Sequence, residues 1–76
     1  MSNYRLMDKA KLECRKRQYP SGTRIELICM DDPYTKLTAG DKGTIIDVDP
    51  LGDLEVDWDT GSTLKLIIGV DQFRIL

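Results

Sequence analysis

The spacing of hydrophobic positions changes once along the chain, near residue 22. Before that point Leu6, Met7, Ala10 and Cys14 recur at helical intervals on one stripe, with Arg5, Lys9 and Lys16 opposite and Leu12 off the stripe. The pattern predicts a helix over residues 4–18, with a stripe too thin to hold an isolated helix of this length in water. Tyr19-Pro20-Ser21-Gly22 ends it and acts as a linker. From Thr23 the period is two. It predicts strands at Thr23–Cys29, with Ile25, Leu27 and Cys29 on one face, and at Gly43–Asp49, Leu54–Trp58, Ser62–Leu66 and Phe73–Leu76. A long polar loop, Met30 to Lys42, separates the first two. Within it Asp32 is extended because Pro33 follows, and Ala39-Gly40 suits a turn with positive φ at the glycine.

If Thr44, Ile46 and Val48 face the core, then Leu54, Val56 and Trp58 face it too. Pairing Val48 with Leu54 and Ile46 with Val56 leaves Pro50-Leu51-Gly52 as a three-residue hairpin loop. Such a loop wants a type I turn followed by a left-handed residue, and Pro50 and Gly52 supply both ends. The same register sets Asp47 opposite Glu55, a repulsive pair, and Asp57 opposite Lys65, an attractive one. Five short strands at tight spacing form an all-β unit that removes its edges by closing, a small five-stranded antiparallel barrel. Its bounds are residues 22–76, preceded by residues 1–21 as a basic arm and linker, either a short helix or disordered.

Certain groups of residues carry a resemblance. Thr23-Arg24-Ile25, Met30-Asp31-Asp32-Pro33-Tyr34 and Gly40-Asp41-Lys42-Gly43-Thr44 are followed by Val56-Asp57-Trp58-Asp59, Gly61-Ser62, Leu64, Gly69-Val70-Asp71 and Phe73. Over residues 22–76 this resembles the family catalogued as domain of unknown function 4314, whose members are short proteins of bacteria, phages and conjugative elements. Ala39 departs from the family's usual proline, which weakens a pre-set turn but not the fold. More distantly, Gly40-Asp41-Lys42-Gly43-Thr44 is similar to SH3-like barrels with KOW motifs, and Trp58-Asp59-Thr60-Gly61-Ser62 to the Mib-type barrel of ubiquitin ligases. The resemblance implies an SH3-like barrel. Those relatives bind nucleic acid and protein tails respectively, so analogy of fold leaves the ligand class open.

Composition narrows the function. Seventy-six residues make one domain near the lower size limit for unaided folding. No apolar run approaches the roughly 18 residues of a membrane span, and the charged N-terminus has no secretory pattern. A cytoplasmic protein with reduced Cys14 and Cys29 is expected. With no histidine and two distant cysteines, a structural zinc lacks its ligands. The net charge of −2 hides an asymmetry: residues 1–24 hold seven basic and two acidic groups, and residues 25–76 hold four basic and eleven acidic ones. The arm is therefore +5 and the body −7.

No enzyme is expected, because no histidine base and no Gly-rich phosphate loop is present and neither Ser21 nor Ser62 has an evident activating partner. Cys14 lies among Arg15, Lys16 and Arg17, which lower a thiol pKa, but a flexible arm holds no attack geometry. Asp47-x-Asp49-x-x-Gly52-Asp53 superficially looks like a calcium loop, yet Leu51 and Trp58 stand where ligands are required. No cofactor and no metal follow. Trp58 and Phe73 are assigned to the core by their period. The candidate partner surface is Met30, Asp31, Asp32 and Tyr34, where apolar contact sits beside charge around a rigid proline. The expected function is a non-enzymatic protein-interaction or regulatory module of unknown target, serving a bacterial mobile element, with no membrane and no small-molecule substrate. The alternative is a nucleic-acid accessory protein using Arg5, Lys9, Arg15, Lys16 and Arg17 of the arm; the acidic body argues against it.

Overall fold

A computed structural model describes residues 6–30, 32 and 34–76. Helix α1 (Lys9–Gln18) is followed by strands β1 (Arg24–Cys29), β2 (Lys42–Val48), β3 (Leu54–Trp58) and β4 (Gln72–Ile75). The strands form an open antiparallel sheet in the order β3-β2-β1-β4. The expected bounds of these four strands hold within a residue or so, whereas the helix begins at Lys9 and the described residues 6–8, expected in it, lie outside.

The expected fifth strand, Ser62–Leu66, is an extended edge segment tied to β3 only at its ends. Leu54 and Leu66 exchange both backbone bonds, at 2.9 and 3.0 Å, and the Trp58 N–H donates to Ser62 O at 3.2 Å. Between these ties Leu64 leaves the ladder. Its carbonyl accepts from Trp58 Nε1 at 2.8 Å, and its N–H donates to Ser62 Oγ at 3.2 Å. The physical cause is the buried indole: Trp58 is 1% exposed, and a buried indole N–H needs an acceptor. The hydrogen-bonded sheet is thus four-stranded and open, and residues 62–66 form an edge segment beyond β3 instead of the expected fifth strand.

Two bulges change which residues face the core. In β2 the register passes from Ile45↔Val56 to Asp47↔Glu55 and Val48↔Leu54, so Ile46 is the extra residue. Ile45 is fully buried and Ile46 is 51% exposed. The expected pairing of Ile46 with Val56, and the placing of Thr44 and Ile46 in the core, are corrected accordingly, because one inserted residue exchanges the faces of a strand. Gly43 takes the inner position instead. A Cβ there would lie 2.7 Å from Val56 Cγ1 and 3.1 Å from Trp58 Cε3, so its missing side chain is the room these two occupy. In β1 the register shifts between Leu27 and Cys29, which leaves Ile28 extra and turns Cys29 outward, against its expected inner place.

The core is Ile25, Leu27, Leu37, Ile45, Val48, Leu54, Val56, Trp58 and Leu66, with Leu12, Tyr19, Met30, Ile68 and Phe73 packed against it. Phe73 is half-buried, its ring centroid 5.8 Å from that of Tyr19. The hairpin loop forms as its residues predict: the Gly52 N–H donates to Asp49 O at 2.9 Å, and Gly52 has φ +90°.

The arm is a helix, but a different face docks. Leu6, Ala10 and Cys14 are exposed, whereas Leu12, Arg15 and Tyr19 are half-buried and share the other side. The helix is hydrogen-bonded to the loop of the β2–β3 hairpin, while Leu12 packs against the core. The Met7 N–H donates to Pro50 O at 2.9 Å and Arg15 Nη1 to Gly52 O at 3.0 Å, while Lys16 Nζ lies 3.7 Å from Asp47 Oδ1. That last pair is half-exposed and contributes little. Arg15, Lys16 and Arg17 in the last turn suit the negative end of the helix dipole.

Ile45→Ala should therefore destabilise by about 2–5 kcal/mol, and Ile46→Ala should stay within about 0.5 kcal/mol of the wild type; urea unfolding followed by Trp58 fluorescence measures both. Equal losses would reject the bulge. Gly52→Ala meets two penalties at once, a positive φ and a Cβ 2.5 Å from Met7 Cε and 2.7 Å from Arg15 Nη1. It should cost more than the ~1 kcal/mol of the conformational penalty alone and accelerate hydrogen exchange at the Met7 amide.

Candidate functional site

The loop after β1 is shaped by its own polar residues and held by one apolar one. Asp32 Oδ1 accepts the Tyr34 N–H at 2.9 Å, Asp41 Oδ2 accepts the Thr38 N–H at 2.8 Å, and Leu37 is buried in the core. The loop consequently stands beside the edge segment. An open groove of about 850 Å³ runs between them, with Asp32 and Tyr34–Leu37 on one side, Thr60, Ser62–Lys65 and Ile67 on the other, and Asp53 contributing to its lining. A smaller depression of about 180 Å³ adjoins it and shares Asp32, Leu64, Lys65 and Ile67 while adding Met30, Val70 and Asp71. Tyr34 is 92% exposed, and Leu64, Ile67 and Val70 are exposed as well.

A buried carboxylate organises the ground beneath this face. Asp49 is 6% exposed. Its Oδ1 accepts the Leu51 and Asp53 N–H groups, each at 2.9 Å, and its Oδ2 accepts Lys65 Nζ at 2.7 Å. Burial opposes its charge, but Lys65 and the two N–H groups outweigh burial and hold its carboxyl below the usual range. The bond to Asp49, with the charges of Asp49, Glu55 and Asp53, raises the Lys65 ammonium against burial. Lys65 therefore pairs with Asp49, not with Asp57 as the expected register had it. Asp53 goes the other way: burial and the charges of Asp49 and Asp71 push its carboxyl up, against the pull of Lys65 and Arg15.

Of the residues proposed from sequence as a partner surface, Asp32 and Tyr34 line the groove and Met30 lines the smaller depression, half-buried against the core. Asp31 lies outside the described residues. Among the arm residues, Arg15 and Lys16 turn to the hairpin tip, Lys9 and Arg17 are exposed, and Arg5 lies outside the described residues. Helix α1 lines neither depression, so helix and groove are separate surfaces. Leu64, Ile67 and Val70 escape sequence reasoning. The expected strand over Ser62–Leu66 says nothing of Leu64 being uncovered, and only the apolar run Ile67-Ile68-Gly69-Val70 hints at an uncovered surface.

The family profile described as a domain of unknown function (DUF4314) matches residues 8–76. The chain belongs to that family. The match takes in α1 as well as the sheet, whereas the resemblance legible in the sequence began at residue 22. No curated protein and no solved structure matches the chain. Among the described residues no helix is long and apolar enough to cross a membrane.

Asp49 and Asp53 should respond oppositely to neutralisation. Asp49→Ala should cost about 1–3 kcal/mol at neutral pH, because two backbone N–H groups lose their acceptor. The lowered carboxyl of Asp49 contributes stability that is present above its unfolded pKa and is lost as pH falls through the lower folded value. Asp59, held low by the Arg24 guanidinium at 2.6 and 2.8 Å, acts with the same sign. Asp53, raised on folding, opposes the fold at neutral pH, so Asp53→Asn should be neutral or stabilising there. Urea titrations between pH 7 and pH 3 of the two variants against wild type distinguish these signs; a destabilised Asp53→Asn would contradict them.

Proposed function

We propose that the chain is a non-enzymatic protein-interaction module that works without a cofactor and receives its partner in the groove beside residues 60–67. The single observation that supports this most is the grouping of exposed Tyr34, Leu64 and Ile67 in one concave face rimmed by Asp32, Lys36 and Asp53. An uncovered apolar patch with a polar rim is the usual character of a binding surface. The hydroxyls nearby serve the backbone: Ser62 Oγ accepts the Leu64 N–H and Thr60 Oγ1 the Ser62 N–H, which favours a scaffold over an activated nucleophile. An SH3-like barrel is the finer description of the fold we favour, supported by the family resemblance and by the edge segment beside β3, which lines one groove with the loop after β1. The family resemblance supports service to a bacterial mobile element, in the cytoplasm.

The basic arm makes nucleic acid the rival ligand. Arg15 is engaged at the hairpin loop and the body carries −7, which opposes the approach of phosphates. The test uses the full-length chain as bait in a bacterial lysate with and without nuclease, beside a Tyr34→Ala/Ile67→Ser variant and a Lys9→Glu/Arg17→Glu variant. A nuclease-resistant protein partner should be retained by wild type and by the helix variant. The groove variant should lose it by about tenfold or more, since two buried anchors are removed. Capture that disappears with nuclease and follows the helix charges would replace this reading with the rival.

A further inference from the structure

We propose that the outer edge of residues 63–65 is a strand-addition site, which takes an extended peptide segment carrying lysine or arginine; the proposal rests on the groove being the partner surface. Leu54 and Leu66 exchange both of their backbone bonds. In an antiparallel ladder the backbone groups of successive residues point to opposite edges, so those of Lys65 point away from β3, and those of Thr63 do so where the segment stays extended. Among the described residues neither the N–H nor the C=O of Thr63 or Lys65 has a partner. These groups border the groove that both residues line. Unpaired backbone groups along an extended edge are a template for another strand, and recognition of a peptide by its main chain uses such an edge.

Proteins often guard an edge with a lysine. Here the guard is drawn aside, because Lys65 Nζ sits 2.7 Å from Asp49 Oδ2. The same contact neutralises its charge, leaving Asp32 and Asp53 against Lys36 at the groove, within a body of net −7. The Asp53 carboxylate accepts no hydrogen bond among the described residues and makes no ion pair there. A cation placed beside it would relieve a charge that burial and Asp49 already disfavour. Tyr34, Leu64 and Ile67 offer apolar contact to the alternate side chains of an added strand.

The probe is an end-capped octapeptide of alternating valine and lysine, titrated into the isotopically labelled full-length protein and followed by amide NMR. The comparisons are the same peptide with glutamate for lysine, and the lysine peptide N-methylated at alternate residues. The Thr63 and Lys65 amides should shift saturably and exchange more slowly. N-methylation and the glutamate replacement should each weaken binding by about tenfold or more, as the loss of one or two good contacts implies. Thr63→Pro removes an N–H that is unpaired in the free protein. It should keep the wild-type urea midpoint and Trp58 emission while losing binding to the same degree. Shifts at Tyr34 and Ile67 with unchanged affinity for the N-methylated peptide would overturn strand addition and leave the groove reading intact. Equal binding of the glutamate peptide would overturn the charge assignment. Absence of saturable shifts up to about 1 mM would overturn the proposal and leave a folded partner for the groove, since weaker binding carries under about 4 kcal/mol. Concentration-dependent shifts of Thr63 and Lys65 without peptide would give the edge to a second copy of the chain and overturn it too.

Discussion

The carboxylate of Asp49 is the joint on which the other parts hang. One oxygen accepts two backbone N–H groups of the hairpin loop and the other accepts Lys65 of the edge segment, so a single side chain shapes the turn and fastens the segment that β3 holds only at its ends. The turn it shapes presents the Gly52 and Pro50 carbonyls that receive Arg15 and the Met7 N–H. Helix, sheet and edge segment thus meet at one loop. Burying a carboxylate is favourable here because the ammonium and backbone donors outweigh its lost hydration.

Trp58 is the second organising element. In so small a core it is the largest fully buried side chain, and it acts on two neighbours. Gly43 has no side chain where the indole and Val56 pass, and the Leu64 carbonyl is drawn from the ladder to meet Nε1. The indole therefore sets the shape of the edge: the segment departs from β3 between its two ties, and its outer backbone groups remain unpaired beside the groove. A requirement of packing and a feature of the candidate surface have one cause.

The opposed charges of arm and body turn out to matter mostly through geometry. The helix has no buried residue of its own and no side-chain N-cap bond, so neither a buried stripe nor an N-cap holds it against the sheet. A half-buried face of Leu12, Arg15 and Tyr19 does, together with two bonds to hairpin carbonyls. Of the arm's basic groups, Arg15 works as a hydrogen-bond donor to a neutral carbonyl, and Lys16 makes a loose, half-exposed pair. The groove lies elsewhere, on the acidic body.

Local chemistry was legible in the sequence wherever neighbours along the chain decide it. Period-two alternation placed four strands, Pro50 and Gly52 placed the hairpin loop, Gly40 placed its turn, and the residues of 22–76 carried the family. The inner faces were not legible before the bulge in β2 or after the one in β1, because alternation is blind to an inserted residue and Ile45-Ile46 and Leu27-Ile28 offer two equally apolar choices. Which of each pair enters the core was settled by the partner strand, through Val56 and Phe73. The docking face of α1 was misread for a related reason: its residues are judged by hydrophobicity alone, whereas the hairpin loop takes an arginine as a hydrogen-bond donor and Tyr19, just past the helix, meets Phe73 of β4. Asp32 and Tyr34 of the candidate surface could be named in advance as loop residues, but Leu64 and Ile67 could not. Leu64 leaves the ladder only because the Trp58 indole, distant from the loop after β1 in sequence, takes its carbonyl, and Ile67 follows where the segment has passed its last tie at Leu66.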